Sequence, residues 1–399
     1  MRLTKVRVTK LFGLFDHEIP LNREERITII HGPNGFGKTI VLRMTAALIS
    51  GLYTPFLQVP FEAFTIEYDD GRRLTVEPVA SELGVSDLAG RLRFRLYSPS
   101  KPESEFLLEL PKRSHVRAPG YKPQRRPEWL GKVRTESPKV QLIRTQRLDK
   151  EEFDEEIGAS VSSPTVEAYS KALVAQIQQT LAAYAAQSQE LDRTFPARLL
   201  SQTSAEPLTA EELRKRLNDL EQKRAQLTSL GFLDAEHGLS SAPTQAIETK
   251  RDVLSVYVDD MGQKLSVFDE MASKILLFAR IINDRFLFKR LEVHREHGFV
   301  FTSETGARLK PSDLSSGEQH ELILLYELLF KLEKNALVLI DEPEISLHVA
   351  WQEKFLGDLM EVVKLSEIDV VIATHSPEII GEHWDLTVEL KGPSKVHKS

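Results

Sequence analysis

The chain has 399 residues, 41% hydrophobic and 28% charged, an ordinary globular mixture that excludes wholesale disorder. Its net charge of −7 argues against a nucleic-acid binder that is basic throughout, and the absence of cysteine excludes disulfide scaffolds, thiol catalysis, cysteine zinc sites and iron–sulfur clusters. No run approaches the roughly 18 apolar residues of a membrane span. Met1–Arg7 lacks the apolar centre of a signal peptide, so a soluble, cytoplasmic protein without a membrane partner is expected.

In chain order, the alternation of Leu3, Val6 and Val8 predicts a first strand. The β-branched run Arg26–Ile30 predicts a second, leading into a glycine-rich turn and a helix with Ile40, Val41, Met44, Leu48 and Ile49 towards the core. Phe61–Val76 reads as a hairpin turning at Asp69-Asp70-Gly71. Residues 100–138 lose hydrophobic period. There Lys112, Arg113, Arg117, Lys122, Arg125, Arg126, Lys132 and Arg134 stand against Glu128, which reads as an exposed loop or as an electrostatic footprint for DNA or an acidic protein.

The middle third is helical. Val166, Tyr169, Leu173, Ile177, Leu181, Tyr184 and Leu191 recur at spacings of three and four, predicting an arm of about 26 residues and about 39 Å. Leu213, Leu217, Leu220 and Leu227 form a second stripe. Asp252–Arg285, with Val253, Tyr257, Leu265, Phe268, Ile275, Phe278 and Ile282, forms a third, together a helical hairpin or short coiled coil. Two strands are expected in 286–301, and the apolar runs Ala336–Ile340 and Asp369–Ala373 read as buried parallel strands. Strands alternating with helices imply an α/β sheet covered on both faces.

The chemistry sits at three places. Gly32-Pro33-Asn34-Gly35-Phe36-Gly37-Lys38-Thr39 matches G-x-x-x-x-G-K-[ST]. Glycines let backbone N–H groups face phosphate oxygens, and the following helix, entered through Ile40, offers its positive end. Lys38 would reach the β- and γ-phosphates of ATP, and Thr39 would bind Mg²⁺. Leu337–Ile340 ends in Asp341 and Glu342, which places two carboxylates at the carboxyl edge of the sheet, where open α/β folds bind ligands. Asp341 suits Mg²⁺, and Glu342 suits polarisation of the attacking water. His375, after the strand Asp369–Ala373, can donate a hydrogen bond to an anion.

Leu314-Ser315-Ser316-Gly317-Glu318-Gln319 resembles the ABC signature motif, and Ala373-Thr374-His375-Ser376-Pro377 resembles the switch-histidine segment. With Asp341-Glu342-Pro343-Glu344-Ile345-Ser346-Leu347-His348, the chain is similar to ABC-type ATPases of the RecF/OLD/SMC-like group, especially the AAA-type ATPases of phage-defence operons. Transporter ATPases carry Asp where this chain has His348, so their contact there is not carried over. The resemblance implies a P-loop ABC-type head, a mixed sheet flanked by helices, with an inserted helical hairpin. It divides the chain into 1–160 (P-loop half with the basic insertion), 161–285 (helical insertion) and 286–399 (signature, Walker B and switch histidine).

The resemblance further implies catalytic roles for Glu342, His375 and Lys38, and ATP contacts from Gly32 through Ile40 and from Ser315, Ser316, Gly317 and Glu318. It implies Mg²⁺ ligation by Thr39, Asp341 and a glutamine, for which Gln146 is the candidate and Gln141 its rival. In this group two heads dimerise head to tail, so that Ser315 and Gly317 of one copy meet the phosphate held by another. With 24 residues after His375, no TOPRIM nuclease is expected in the chain. The implied role is therefore a sensor or scaffold controlling a separate effector, a nuclease as in PARIS- or Septu-like defence. The alternative is a RecF/SMC-like DNA-binding ATPase of repair or recombination.

Overall fold

A computed structural model describes residues 1–79, 88–99, 101–111, 124–144, 165–201, 208–234, 244–345, 347 and 349–393. Gln146, His348 and the basic residues Lys112, Arg113, Arg117 and Lys122 lie outside the described residues. The chain clusters into two compact units, Met1–Glu151 with Leu332–Ser399, and Glu152–Lys331. Residues 286–331, expected with the C-terminal half of the head, therefore fall with the helices.

The first unit opens with β1 (Leu3–Leu11), antiparallel to β2 (Phe15–Pro20) with Val6 opposite Ile19 and Val8 opposite His17. Strand β2 was not anticipated. Its buried Phe15, His17 and Ile19 alternate with exposed Asp16 and Glu18, and the histidine breaks the apolar signature. Then come β3 (Ile27–His31) and α1 (Lys38–Ser50), with Val41, Met44, Leu48 and Ile49 buried as predicted. The expected hairpin is β4 (Ala63–Tyr68) and β5 (Arg73–Val79), paired antiparallel.

The loop predicted over 100–138 is a correction. Long strands β6 (Leu88–Ser98) and β7 (Lys101–Pro111) extend the antiparallel sheet, and α2 (Glu128–Glu136) follows. One face of the pair sends Leu92, Phe94, Leu96 and Leu108 into the core. The other carries a ladder of ion pairs, Arg93 with Glu105 at 2.9 Å, Arg91 with Glu109 at 3.0 Å and Arg95 with Glu77 at 3.0 Å. Cross-strand pairing of opposite charges makes this face compatible with a strand, although its composition reads as loop. Part of the basic run is likewise spent locally: Arg126 lies over the Tyr53 ring, and Arg134 donates to the Ser50 carbonyl.

After β8 (Val140–Arg144) the chain enters the second unit. Helix α3 (Thr165–Ser201) has 37 residues, about 55 Å at 1.5 Å per residue, so it is longer than the predicted arm. The periodic stripe ends at Leu191, but the helix runs on through Pro196, tied by Arg198 Nη2 to buried Asp260 at 2.7 Å. Helix α4 (Ala210–Ser229) is capped by Thr209 and Glu212 and packs on α5 (Arg251–Ser266). The single pattern predicted over 252–285 is broken at Val267–Phe268, after which α6 (Asp269–Arg285) begins. Val253, read as apolar face, is exposed, whereas Leu265 is buried as expected, together with Val256 and Val258.

A three-stranded antiparallel sheet follows, of β9 (Lys289–His294), β10 (Gly298–Ser303) and β11 (Arg308–Leu309). Helix α7 (Ser316–Tyr326) continues into a π-helical turn at Glu327–Lys331. Phe278, Phe299, Tyr326 and Phe330 form an aromatic core, stacked between Phe278 and Phe299 and between Tyr326 and Phe330 and edge-on between Phe299 and Tyr326, and buried Arg285 and Glu321 pair between α6 and α7.

The chain then returns to the first unit with β12 (Leu337–Asp341), α8 (Val349–Ser366), β13 (Asp369–Ala373) and β14 (Thr387–Glu389). The mixture of strands resolves into two sheets in this unit. One is antiparallel, in the order β2-β1-β4-β5-β6-β7, and the other parallel, in the order β14-β3-β13-β12-β8. Helix α1 contributes to one apolar core with both: Phe64, Leu74 and Phe94 from the first sheet, Leu337, Leu339 and Val371 from the second. Among the described residues, no helix is long and apolar enough to cross a membrane.

Candidate nucleotide-binding site

The parallel register decides which residues meet. Asp341 pairs with Ala373, and Ala373 pairs with Ile30, so the ends of β12, β13 and β3 lie side by side. The segments leaving those three ends hold Glu342, His375 and the glycine-rich turn.

That turn needs its glycines. Gly32, Gly35 and Gly37 have φ of 148°, 85° and 90°, in the region that L side chains rarely adopt. Gly37 begins α1, and a Cβ there would come within 2.4 Å of the Leu11 side chain. The floor of the turn is supplied by β2: His17 Nε2 donates to the Phe36 carbonyl at 2.8 Å, and the Phe15 ring packs on Phe36 at 5.1 Å. Burial lowers the His17 imidazole, against the pull of the Phe36 carbonyl, so a neutral ring is favoured. These two residues shape the turn and were missed, because their strand was missed.

Lys38 is buried at 5% exposure, and its ammonium donates to the Gly32 carbonyl at 2.7 Å. Burial pushes it below the usual lysine range, while Glu342, Glu344 and Asp341 pull the other way. The carboxylates thus hold a desolvated cation at the mouth of the turn. Thr39 Oγ1 donates to Asp341 Oδ1 at 2.9 Å. This hydroxyl–carboxylate pair is a hard-oxygen donor set of the kind that Mg²⁺ takes. Glu342 has a φ of 50° and its N–H donates to the Ala373 carbonyl at 2.8 Å. The sparsely populated backbone is held by the neighbouring strand, and such strain concentrates at functional positions.

His375 is half-exposed, with Nδ1 at 2.9 Å from Glu344 Oε1 and 3.9 Å from Glu342 Oε1. Pro33, Asn34 and Gly35 are exposed, as residues meeting a ligand should be. The Ile40 side chain packs against the core, so only its backbone is available to a nucleotide. Of the glutamines, Gln141 is paired with Val338 inside the sheet, three positions before the Arg144–Asp341 pair, so the strand does not bring it to the carboxylate edge.

The signature turn lies in the second unit. Ser315 is the N-cap of α7, and Glu318 Oε2 accepts from the Ser315 N–H at 2.8 Å and hydroxyl at 2.9 Å. Lys289 Nζ adds bonds of 2.7 and 2.8 Å to the same carboxylate. Burial raises the Glu318 carboxyl, but Lys289 and Ser315 more than offset it and the net shift is downward. Glu318, read as a nucleotide contact, is therefore engaged in holding the turn, while Ser315 and Ser316 are exposed and Gly317 half-buried.

Amides around an anion-sized turn, a buried lysine facing three carboxylates and a threonine paired to an acidic strand end are the parts that phosphoryl transfer from a nucleoside triphosphate uses. The first unit carries a P-loop at the carboxyl edge of a parallel sheet. The chain belongs to the family described as "AAA domain, putative AbiEii toxin, Type IV TA system", which matches residues 27–381. It is 26% identical over 163 residues to the "Retron Ec83 probable ATPase" of Escherichia coli, a stretch covering 38% of this chain and 29% of that relative's length. Similar solved structures include the Smc head with an extended coiled coil, bound to the C-terminal domain of ScpA, from Pyrococcus furiosus, at 12% identity and a TM-score of 0.37. The SMC head of Thermotoga maritima is similar at 14% and 0.36. Each covers 95% of this chain and 91% of the other.

Proposed function

We propose that the chain binds ATP with Mg²⁺ at the turn Gly32–Ile40, hydrolyses it to ADP and phosphate, and uses that cycle to sense a trigger and control a separate effector in antiphage defence. The observation that carries the nucleotide reading is the joint placement of Lys38, the Thr39–Asp341 pair and Glu342 at one sheet edge. In this reading the amides and Lys38 hold the β- and γ-phosphates, Thr39 and Asp341 (with Gln146 as the sequence's candidate third ligand) hold Mg²⁺, and Glu342 orients the water. The metal, when bound, neutralises charge developing on the phosphate oxygens. His375 meets the γ-phosphate in the same copy as Lys38, and Ser315 with Gly317 meets it from a second copy in a head-to-tail dimer.

The defence role is supported by the toxin–antitoxin description of the family and by the retron relative. The effector is a second chain, a nuclease in this reading. Phosphate release by wild type, Lys38→Ala and Glu342→Gln tests the first part; equal rates in all three would remove it. Affinity purification from native expression tests the second, and the reading fails if no effector chain co-purifies. Salt-dependent DNA affinity that is lost on neutralising the basic residues from Lys112 to Arg134 would move the protein to the RecF/SMC-like alternative.

A further inference from the structure

The site contains a carboxylate that the reading above leaves without a task. Glu344 follows Glu342 by two residues, and its side chain is 7% exposed. Oε1 faces both ends of His375: the backbone N–H donates to it at 3.0 Å, and ring Nδ1 stands at 2.9 Å. Oε2 is buried with no hydrogen-bond partner among the described residues. The main chain at Glu344 is itself fixed, since the Gln352 side-chain amide donates to its carbonyl at 3.0 Å. Glu342, by contrast, lies 3.9 Å from the ring, beyond hydrogen-bond reach.

A carboxylate has only acceptors, so the hydrogen of the short contact must sit on Nδ1. Two consequences follow. The ring is favoured as the Nδ1–H tautomer, with Nδ1 at 2.9 Å from the same oxygen that accepts the backbone N–H. Nε2, which makes no hydrogen bond among the described residues, becomes the nitrogen offered to the ligand. In the neutral ring that nitrogen accepts; a donor contact to phosphate then requires the doubly protonated ring, whose charge Glu344 faces directly.

We propose that Glu344 is a positioning residue for His375, holding its proton on Nδ1 so that Nε2 is presented at the nucleotide site. This rests on the ATPase reading for its consequence, but not for its geometry. It assigns the second glutamate of Asp341-Glu342-Pro343-Glu344 a role distinct from that of the first: Glu342 acts on water, and Glu344 acts through the imidazole.

The test uses the full chain labelled with ¹⁵N-histidine, the His375 signals being identified by their loss in His375→Ala. Wild type is expected to show His375 protonated on Nδ1. Glu344→Ala is expected to move the proton to Nε2 and to lower kcat by about tenfold to a hundredfold, the range seen for outer partners of a functional histidine. KM for ATP should stay within about twofold, because binding is carried elsewhere. Glu344→Gln, whose side-chain carbonyl still accepts from Nδ1, should keep the tautomer and recover part of kcat. A wild-type ring protonated on Nε2 alone overturns the proposal, even if Glu344→Ala does not fold. So does a fall in kcat with the tautomer unchanged, or an unchanged kcat. A wild-type protein without turnover would sink the ATPase reading instead, and the tautomer comparison would still decide the role of Glu344.

Discussion

The carboxyl edge of the parallel sheet and the signature end of α7, which the proposed function has meet phosphate, are built differently. At the sheet edge, Gly32, Gly35, Gly37 and Glu342 all have positive φ, and Lys38 is a buried cation. At α7, Ser315 and Glu318 form a regular capping box in which each polar group has a partner. Strain and desolvation are concentrated at the edge to which the proposed function assigns the chemistry, and relaxed helix-capping geometry at the turn to which it assigns recognition alone. Substitutions at the edge should therefore cost function more than stability, and those in the second unit the reverse.

Glu342→Gln is the strongest test of the first half. Turnover should fall by about 10²–10⁴-fold with the melting temperature unchanged, measured by phosphate release and thermal denaturation. Phe278→Ala tests the other half. It empties a fully buried site among Phe299 and Phe330, and denaturant titration should show a loss of about 3–5 kcal/mol in the transition of the second unit. Gly37→Ala joins the two costs: the strained φ and the 2.4 Å approach to Leu11 should cost about 1–3 kcal/mol and weaken nucleotide binding, read by calorimetry.

Glu318→Gln should have the smallest effect, about 1 kcal/mol, from weakening the cap and the Lys289 pair. Its sign with pH is fixed. The folded carboxyl lies below its ordinary 4.5, so the stabilisation is full above that value and is lost as pH falls through the folded one. The wild-type advantage over Glu318→Gln should therefore shrink in acid. A difference that grows instead would mean that Lys289 is not the group setting the shift.

Much of this was legible in the residues. The buried parallel strands read as continuous apolar runs because both their faces are covered, and the P-loop because its glycines have few substitutes. The failures share a cause. Strands β2 and β6–β7 carry charge or histidine at alternating positions, so composition pointed to loop while pairing partners lay far away in sequence or on the next strand. The extra length of α3 depends on Arg198 reaching Asp260, which no local stripe reveals. Glu344 carries no signal in its motif alone, because its meaning lies in a register that brings residue 375 beside it.

The return of the chain after the second unit has a consequence for how the protein is made. Val140 pairs with Leu337 across the whole of Glu152–Lys331. Contacts so remote in sequence are slow to form, and the whole of the intervening unit is synthesised before Leu337. On the ribosome, the helical unit can therefore fold while β3 and α1 are still without β12 and β13. The nucleotide site is completed last, and until then the apolar edge of a half-built sheet is open to chaperones or to another copy of the chain.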